Sequence, residues 1–177
     1  MTKYTSYQDR YFAEQLLLKR PQSSYDSLAS AMSGVKVDLN PHQVDAALFA
    51  MQSPLSSGVL MADEVGLGKT IEAGLVLAQY WAERKRNILL IVPAALRTQW
   101  RSELSEKFYI DSLILESSNF NKMRKEGCLN PFDAKNQVVI CSYNFAANKD
   151  SFVHAMPWDL VVLDEAHRLR NVYKPQN

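Results

Sequence analysis

Cysteine is scarce: the 177 residues hold two, Cys128 in a polar loop and Cys141 in an apolar run. Two unpatterned cysteines make no disulfide framework, which argues against a stapled extracellular domain and for a reducing compartment. Charge of either sign is not in excess. Twenty Lys and Arg against nineteen Asp and Glu leave a formal net charge of +1. No basic field therefore attracts a polyanion, and any nucleic-acid contact has to come from a local cluster. Long apolar runs are missing as well. The longest, Ile88 to Leu96, contains Pro93 and falls far short of the roughly twenty residues of a membrane helix. Met1 to Arg10 is polar and has no signal-peptide core. The chain reads as cytoplasmic, with no membrane partner.

What remains is ordinary for a globular chain that buries a core, with 47% apolar and 22% charged residues. Residues 1–38 read as a short helical N-terminal extension. Asp9 to Lys19 has Phe12, Leu16 and Leu17 on one side and stops at Pro21, and a second short helix, Asp26 to Met32, stops at Ser33-Gly34. Residues 39–177 form the main domain. Asn40-Pro41 supplies an N-cap and a proline at the first helical position, and Val44, Ala47, Leu48 and Met51 follow at helical spacing as far as Pro54. Short apolar runs then alternate with helices: Gly58 to Met61, Ile88 to Val92, Ser112 to Leu115, Val138 to Cys141 and Leu160 to Leu163. Continuous runs between helices predict an α/β fold, a mainly parallel sheet covered on both faces.

One motif joins the first run to the helix predicted from Thr70 to about Arg84. It reads Asp63-Glu64-Val65-Gly66-Leu67-Gly68-Lys69-Thr70. A phosphate-binding loop needs a strand, a tight glycine turn and a helix whose first amides point at the anion. Gly66 and Gly68 permit the close backbone approach, Lys69 reaches the terminal phosphates, and the Thr70 hydroxyl ligates magnesium. The general pattern G-x-x-x-x-G-K-S/T is incomplete, because Asp63 stands at the first glycine.

The last apolar run delivers Asp164-Glu165-Ala166-His167 at its carboxyl end, where open α/β sheets bind ligands. One carboxylate can hold the metal and the next can orient the attacking water. A solvated acidic turn is the plainer alternative for the tetrapeptide alone.

With both boxes the chain resembles the first RecA-like motor domain of superfamily 2 helicases, a three-layer P-loop NTPase fold. It is most similar to the Swi/Snf-type double-stranded DNA translocases, in the bacterial branch that includes the RNA-polymerase-associated ATPase. The run 63–74, ending Ile71-Glu72-Ala73-Gly74, is specific to that branch and turns Asp63 from a defect into support. Leu39-Asn40-Pro41-His42-Gln43 matches the adenine-recognition segment, Ile91-Val92-Pro93 with Leu96 and Gln99-Trp100 the next motif, and Ile140-Cys141-Ser142-Tyr143 the strand end near the nucleic-acid path.

The resemblance implies ATP and Mg2+ as substrate and cofactor. It places Asp63, Glu64, Val65, Gly66, Leu67, Gly68, Lys69 and Thr70 on the phosphates, Thr70 and Asp164 on the metal, and Glu165 on the catalytic water. Gln43 would read the adenine edge; on pattern alone it is a polar residue in a first helical turn. His167 stands either as a coupler to a second motor domain or as a surface histidine. Arg97, Thr98 and Gln99, like Ser142 and Tyr143, stand between contacts to DNA phosphates and a solvated helix start. Lys122, Arg124 and Lys125 are a basic cluster of the kind usually left in water.

The family continues past the acidic box through a further motif and a second RecA-like domain with an arginine finger. The chain is therefore expected to be part of a larger protein, with an incomplete sheet. Alone, it should unfold easily or self-associate, and hydrolyse ATP poorly. The intact protein would be an ATP-driven translocase on double-stranded DNA, acting on a DNA-bound complex such as RNA polymerase. The competing readings are a motor in a restriction or phage-defence system, an RNA helicase, and, least favoured, a non-catalytic nucleotide-binding module.

Overall fold

Four of the five apolar runs become strands of one parallel sheet: β1 (Ile88–Val92), β2 (Ser112–Ile114), β3 (Val138–Ser142) and β4 (Leu160–Leu163), in the order β2-β3-β1-β4. The computed structural model describes residues 40–52, 58–61 and 68–169. The expected extension 1–38 lies outside the described residues, as do Pro54 and the loop residues Asp63, Glu64, Val65, Gly66 and Leu67.

β1 lies inside the sheet because Ile-Leu-Leu-Ile-Val is apolar at every position, the composition of a strand covered on both sides. Side chains alternate between the two faces. Ile88, Leu90 and Val92 join Val138 and Ile140 on one face, under α1 (Pro41–Gln52), α2 (Lys69–Ala82) and α3 (Arg97–Phe108). Leu89, Val139 and Cys141 face the other way, toward α4 (Ser117–Lys125), α5 (Tyr143–Asn148) and α6 (Asp150–His154). Helices thus cover both faces, giving the three layers expected.

The first layer closes tightly at one position. A side-chain carbon at Gly74 of α2 would stand 2.3 Å from Phe108 Cζ, so α2 and α3 approach as they do because residue 74 has none. The second layer is aromatic. Phe120 packs edge-on against Phe132, Phe145 and Phe152, and Phe132 against Trp158. Phe132 comes from the loop before β3, held by Asn130, whose Oδ1 accepts from the Phe132 amide and whose Nδ2 donates to the Phe152 carbonyl.

The basic stretch after α2 is spent on the helix end. The Arg86 guanidinium donates to the Trp81 carbonyl at 2.6 Å and stacks over the Trp81 ring, and Lys85 lies over the Tyr80 ring. The Lys85 hydrogen bond holds the Glu83 carboxyl below its ordinary range. Asp159 then fastens the starts of two strands together. Its Oδ2 accepts from the amides of Arg86 and Asn87, and its own amide donates to the Asn87 carbonyl at 2.8 Å.

The run Gly58 to Met61 differs from expectation: it is irregular chain and joins no ladder. Leu60 is 78% exposed. A run of four residues headed by glycine has little to hold it extended without a paired neighbour. Among the described residues β4 pairs only with β1. Its Leu160 and Val162 pack into the first layer, while Val161 and Leu163 are 44% and 41% exposed on the second face.

Candidate functional site

A parallel sheet brings the carboxyl ends of all its strands to one edge. Here β1 leads through Pro93 and the turn Ala94–Leu96 into Arg97, β3 ends on Ser142 and passes into α5, and β4 delivers Asp164 and Glu165. The strand-end candidates therefore share that edge.

Asp164 is held at three points. Its amide donates to the Ile91 carbonyl at 3.0 Å, its carbonyl accepts the Tyr143 hydroxyl at 2.6 Å, and its Oδ2 accepts the Trp100 indole N–H at 2.8 Å. No described residue donates to Oδ1. Glu165 follows with φ of 56°, in the left-handed region that a side chain disfavours. Such a backbone persists where its surroundings enforce it and is often functional. His167 Nδ1 lies 2.9 Å from Glu165 Oε2, with both side chains about half exposed.

At the head of α2, Gly68 has φ of 91°, and a side-chain carbon there would stand 2.3 Å from Gln43 Nε2. Gln43, 6% exposed, is thus brought against the start of the helix that carries Lys69 and Thr70. Its Oε1 accepts the Asn40 amide at 3.2 Å, so the residue also serves as half of a capping box for α1. Helix α2 packs its buried face, Ile71, Leu75 and Ala78, into the layer that receives Leu160 and Val162 of β4.

Magnesium fits the donors present. The two donors that the resemblance assigns to the metal, the Thr70 hydroxyl at the head of α2 and the Asp164 carboxylate at the end of β4, are hard oxygens, and no group of three His, Cys, Asp or Glu able to hold a metal by itself occurs among the described residues. Magnesium is normally bound in this way, by one or two carboxylates together with substrate phosphates and water.

Two clefts open beside this edge. One, of about 250 Å3, is lined by Arg97, Thr98, Arg101, Ile114, Glu116 and Asn119. The other, of about 490 Å3, shares Arg97 and Glu116 and adds Ser142, Asn144 and Asn148 among others. Arg97 lies between them, its guanidinium 3.2 Å from Glu116 Oε2 and its Nε donating to the Ala94 carbonyl. Ser142 Oγ caps α5 by accepting the Phe145 amide at 3.3 Å. Gln99 is turned along the outside of α3 to Glu103, and Tyr143 is turned inward to Asp164. The basic cluster on α4 is engaged locally: Arg124 binds the Cys128 and Leu129 carbonyls, and Lys122 lies near Glu126. Burial in the second layer pushes the Cys141 thiol up to about 12.

Residues 17–174 match the SNF2-related domain. The chain belongs to that family. The match begins within the stretch read as an extension. SNF2-related relatives include the RNA polymerase-associated protein RapA of Actinobacillus pleuropneumoniae serotype 5b, 35% identical over 171 residues covering 91% of this chain and 17% of that protein. RapA of Yersinia pseudotuberculosis serotype O:1b is 35% identical over 177 residues, covering 92% and 18%. The chain therefore spans less than a fifth of the length of these relatives. The Sulfolobus solfataricus SWI2/SNF2 ATPase core, solved in complex with dsDNA, shares the fold with a TM-score of 0.65 at 22% identity, covering 78% of this chain and 28% of that one. The α/β architecture and the Swi/Snf-type resemblance, in its RapA-like branch, are thus established. No helix among the described residues is long and apolar enough to cross a membrane.

The SNF2-related edge holds two residues to which the sequence alone assigned no role, Trp100 and Glu116. An available signal was Trp100 itself, since a buried indole usually needs a partner for its N–H. Nothing in the spacing marked Glu116.

Proposed function

We propose that this SNF2-related domain is the ATP-binding part of an ATP-driven translocase on double-stranded DNA. The carrying observation is the shared strand edge: Asp164 and Glu165 leave β4 beside the segments that leave β1 and β3. On this reading Gln43 meets the adenine, the loop 63–68 and Lys69 hold the phosphates, and Thr70 and Asp164 hold Mg2+. Bound there, Mg2+ would supply positive charge to offset the negative charge that develops during phosphoryl transfer. Glu165, whose backbone stands in the left-handed region, orients the attacking water. On the same reading His167, whose Nδ1 lies 2.9 Å from Glu165 Oε2, couples the site to a neighbouring motor domain.

The nucleic acid lies along the two clefts. Arg97 and Thr98 meet backbone phosphates there, with Ser142 at the rim and Gln99 and Tyr143 flanking. The RNA polymerase association of the RapA relatives favours a DNA-bound complex of that type as the partner, in the cytoplasm.

ATPase rates of the full-length protein with duplex DNA, single-stranded DNA and RNA test the reading. Duplex DNA should stimulate most, and Glu165→Gln should lower the stimulated rate by about 100-fold or more. Stimulation by RNA in preference to duplex would overturn it.

A further inference from the structure

The three bonds to Asp164 come from three separate elements, and two of those elements begin at the clefts. Trp100 is on the first turn of α3, which starts at Arg97; Tyr143 is the first residue of α5, directly after Ser142. Trp100 is 3% exposed, sunk among the aliphatic side chains of the first layer. A packing role would be served by phenylalanine or leucine. The indole adds one N–H donor, and that donor is aimed at Asp164 Oδ2 at 2.8 Å. With Oδ2 held by the indole, Oδ1 is the carboxylate oxygen that receives no hydrogen bond from the described residues. The Tyr143 hydroxyl fixes the backbone of the same residue, just past the last paired position of β4, Leu163 with Ile91.

We propose that Trp100 and Tyr143 are positioning residues that aim the free oxygen of Asp164 at the metal and make that aim depend on what occupies the clefts. A phosphate that displaces Arg97 from Glu116 pulls on the start of α3, one turn from the indole. A ligand in the larger cleft, lined by Ser142, bears on the start of α5 and so on the Tyr143 hydroxyl. Either displacement reaches Asp164 through one hydrogen bond. Outer partners of this kind orient metal-binding carboxylates, and losing them commonly weakens metal affinity by roughly 10–100-fold.

The inference rests on the magnesium-nucleotide reading of the site, and its test separates the two. Mn2+ binding to the full-length protein with a non-hydrolysable ATP analogue is followed by electron paramagnetic resonance, with and without a duplex. Trp100→Phe should weaken Mn2+ by about 10-fold with metal-free nucleotide affinity unchanged. Tyr143→Phe should remove most of the change that duplex produces in wild-type Mn2+ affinity. If Trp100→Phe does not fold, as judged by circular dichroism, Tyr143→Phe decides alone. Wild-type Mn2+ affinity in the variants, with duplex dependence retained, overturns the inference and leaves the site reading standing. Mn2+ binding insensitive to Asp164→Asn overturns both.

Discussion

Gly68→Ala tests the junction between α1 and the phosphate helix. The native residue has φ of 91°, a conformation that costs an L-residue about 1–2 kcal/mol. The added carbon would also stand 2.3 Å from Gln43 Nε2, so the carboxamide has to move. Moving it breaks the 3.2 Å bond from the Asn40 amide, worth about 0.5–1.5 kcal/mol. Alanine returns about 0.4–1 kcal/mol by restricting the unfolded chain. The net is a loss of about 0.5–3 kcal/mol. Equilibrium urea unfolding, with an unchanged urea slope, measures it. Gln43→Ala in the same background separates the two causes, because it removes the collision and leaves the backbone cost. The double variant should then be less destabilised than the sum of the singles by about 0.5–1.5 kcal/mol. Additivity of the two changes, or a Gly68→Ala variant within about 0.5 kcal/mol of wild type, would refute the reasoning.

Two other tests address the layers beneath. Cys141, its thiol raised from 9.0 to about 12 by burial, should resist a disulfide reagent at pH 8 until urea is added, whereas half-buried Cys128 reacts in the native state. The folded chain keeps the Cys141 proton where the unfolded chain has lost it, so the thiol has no effect below pH 9 and lowers stability between 9 and 12 by up to about 1.4 kcal/mol per pH unit; Cys141→Ala should flatten that slope in alkaline unfolding curves. Glu116→Gln keeps an acceptor for the first turn of α4 and removes the charge facing Arg97. Duplex affinity of the full-length protein should rise, and the salt dependence should steepen by about one unit of log–log slope; an unchanged slope in fluorescence-anisotropy titrations would place Arg97 off the phosphate path.

The sequence was most legible where one physical demand ruled. Ile88 to Val92 is apolar throughout, so only a covered interior strand suited it, and Leu160 to Leu163 likewise became a strand, β4, at the bounds read from its apolar run. It was less legible where several demands compete for one residue. Gln43 reads as a base-recognising amide or as a polar residue in a first helical turn, and the folded chain uses it as a cap while setting it against Gly68. Trp100 reads only as part of a motif; it is buried in the core, and its polar N–H reaches Asp164, a neighbour far away in the sequence. The Arg97–Glu116 pair has the same origin, since the start of α3 and a helix cap meet only after β1 and β2 are laid on either side of β3. Gly58 to Met61 shows the opposite limit: an apolar run is a strand only when a neighbour's edge is available to it.

The strand order also governs synthesis. Ile88–Val92 leaves the ribosome well before either neighbour that will flank it: β3 follows later, and β4 closes the other side only with Leu163. At about 5–20 residues per second, Leu163 is added roughly 4–14 seconds after Val92. During that interval the most apolar strand of the nascent chain has one or both backbone edges unpaired, which is the geometry that recruits foreign strands. The yield of folded protein should therefore depend on elongation rate and chaperone supply, and mispairing centred on Ile88–Val92 should be the first casualty of overproduction.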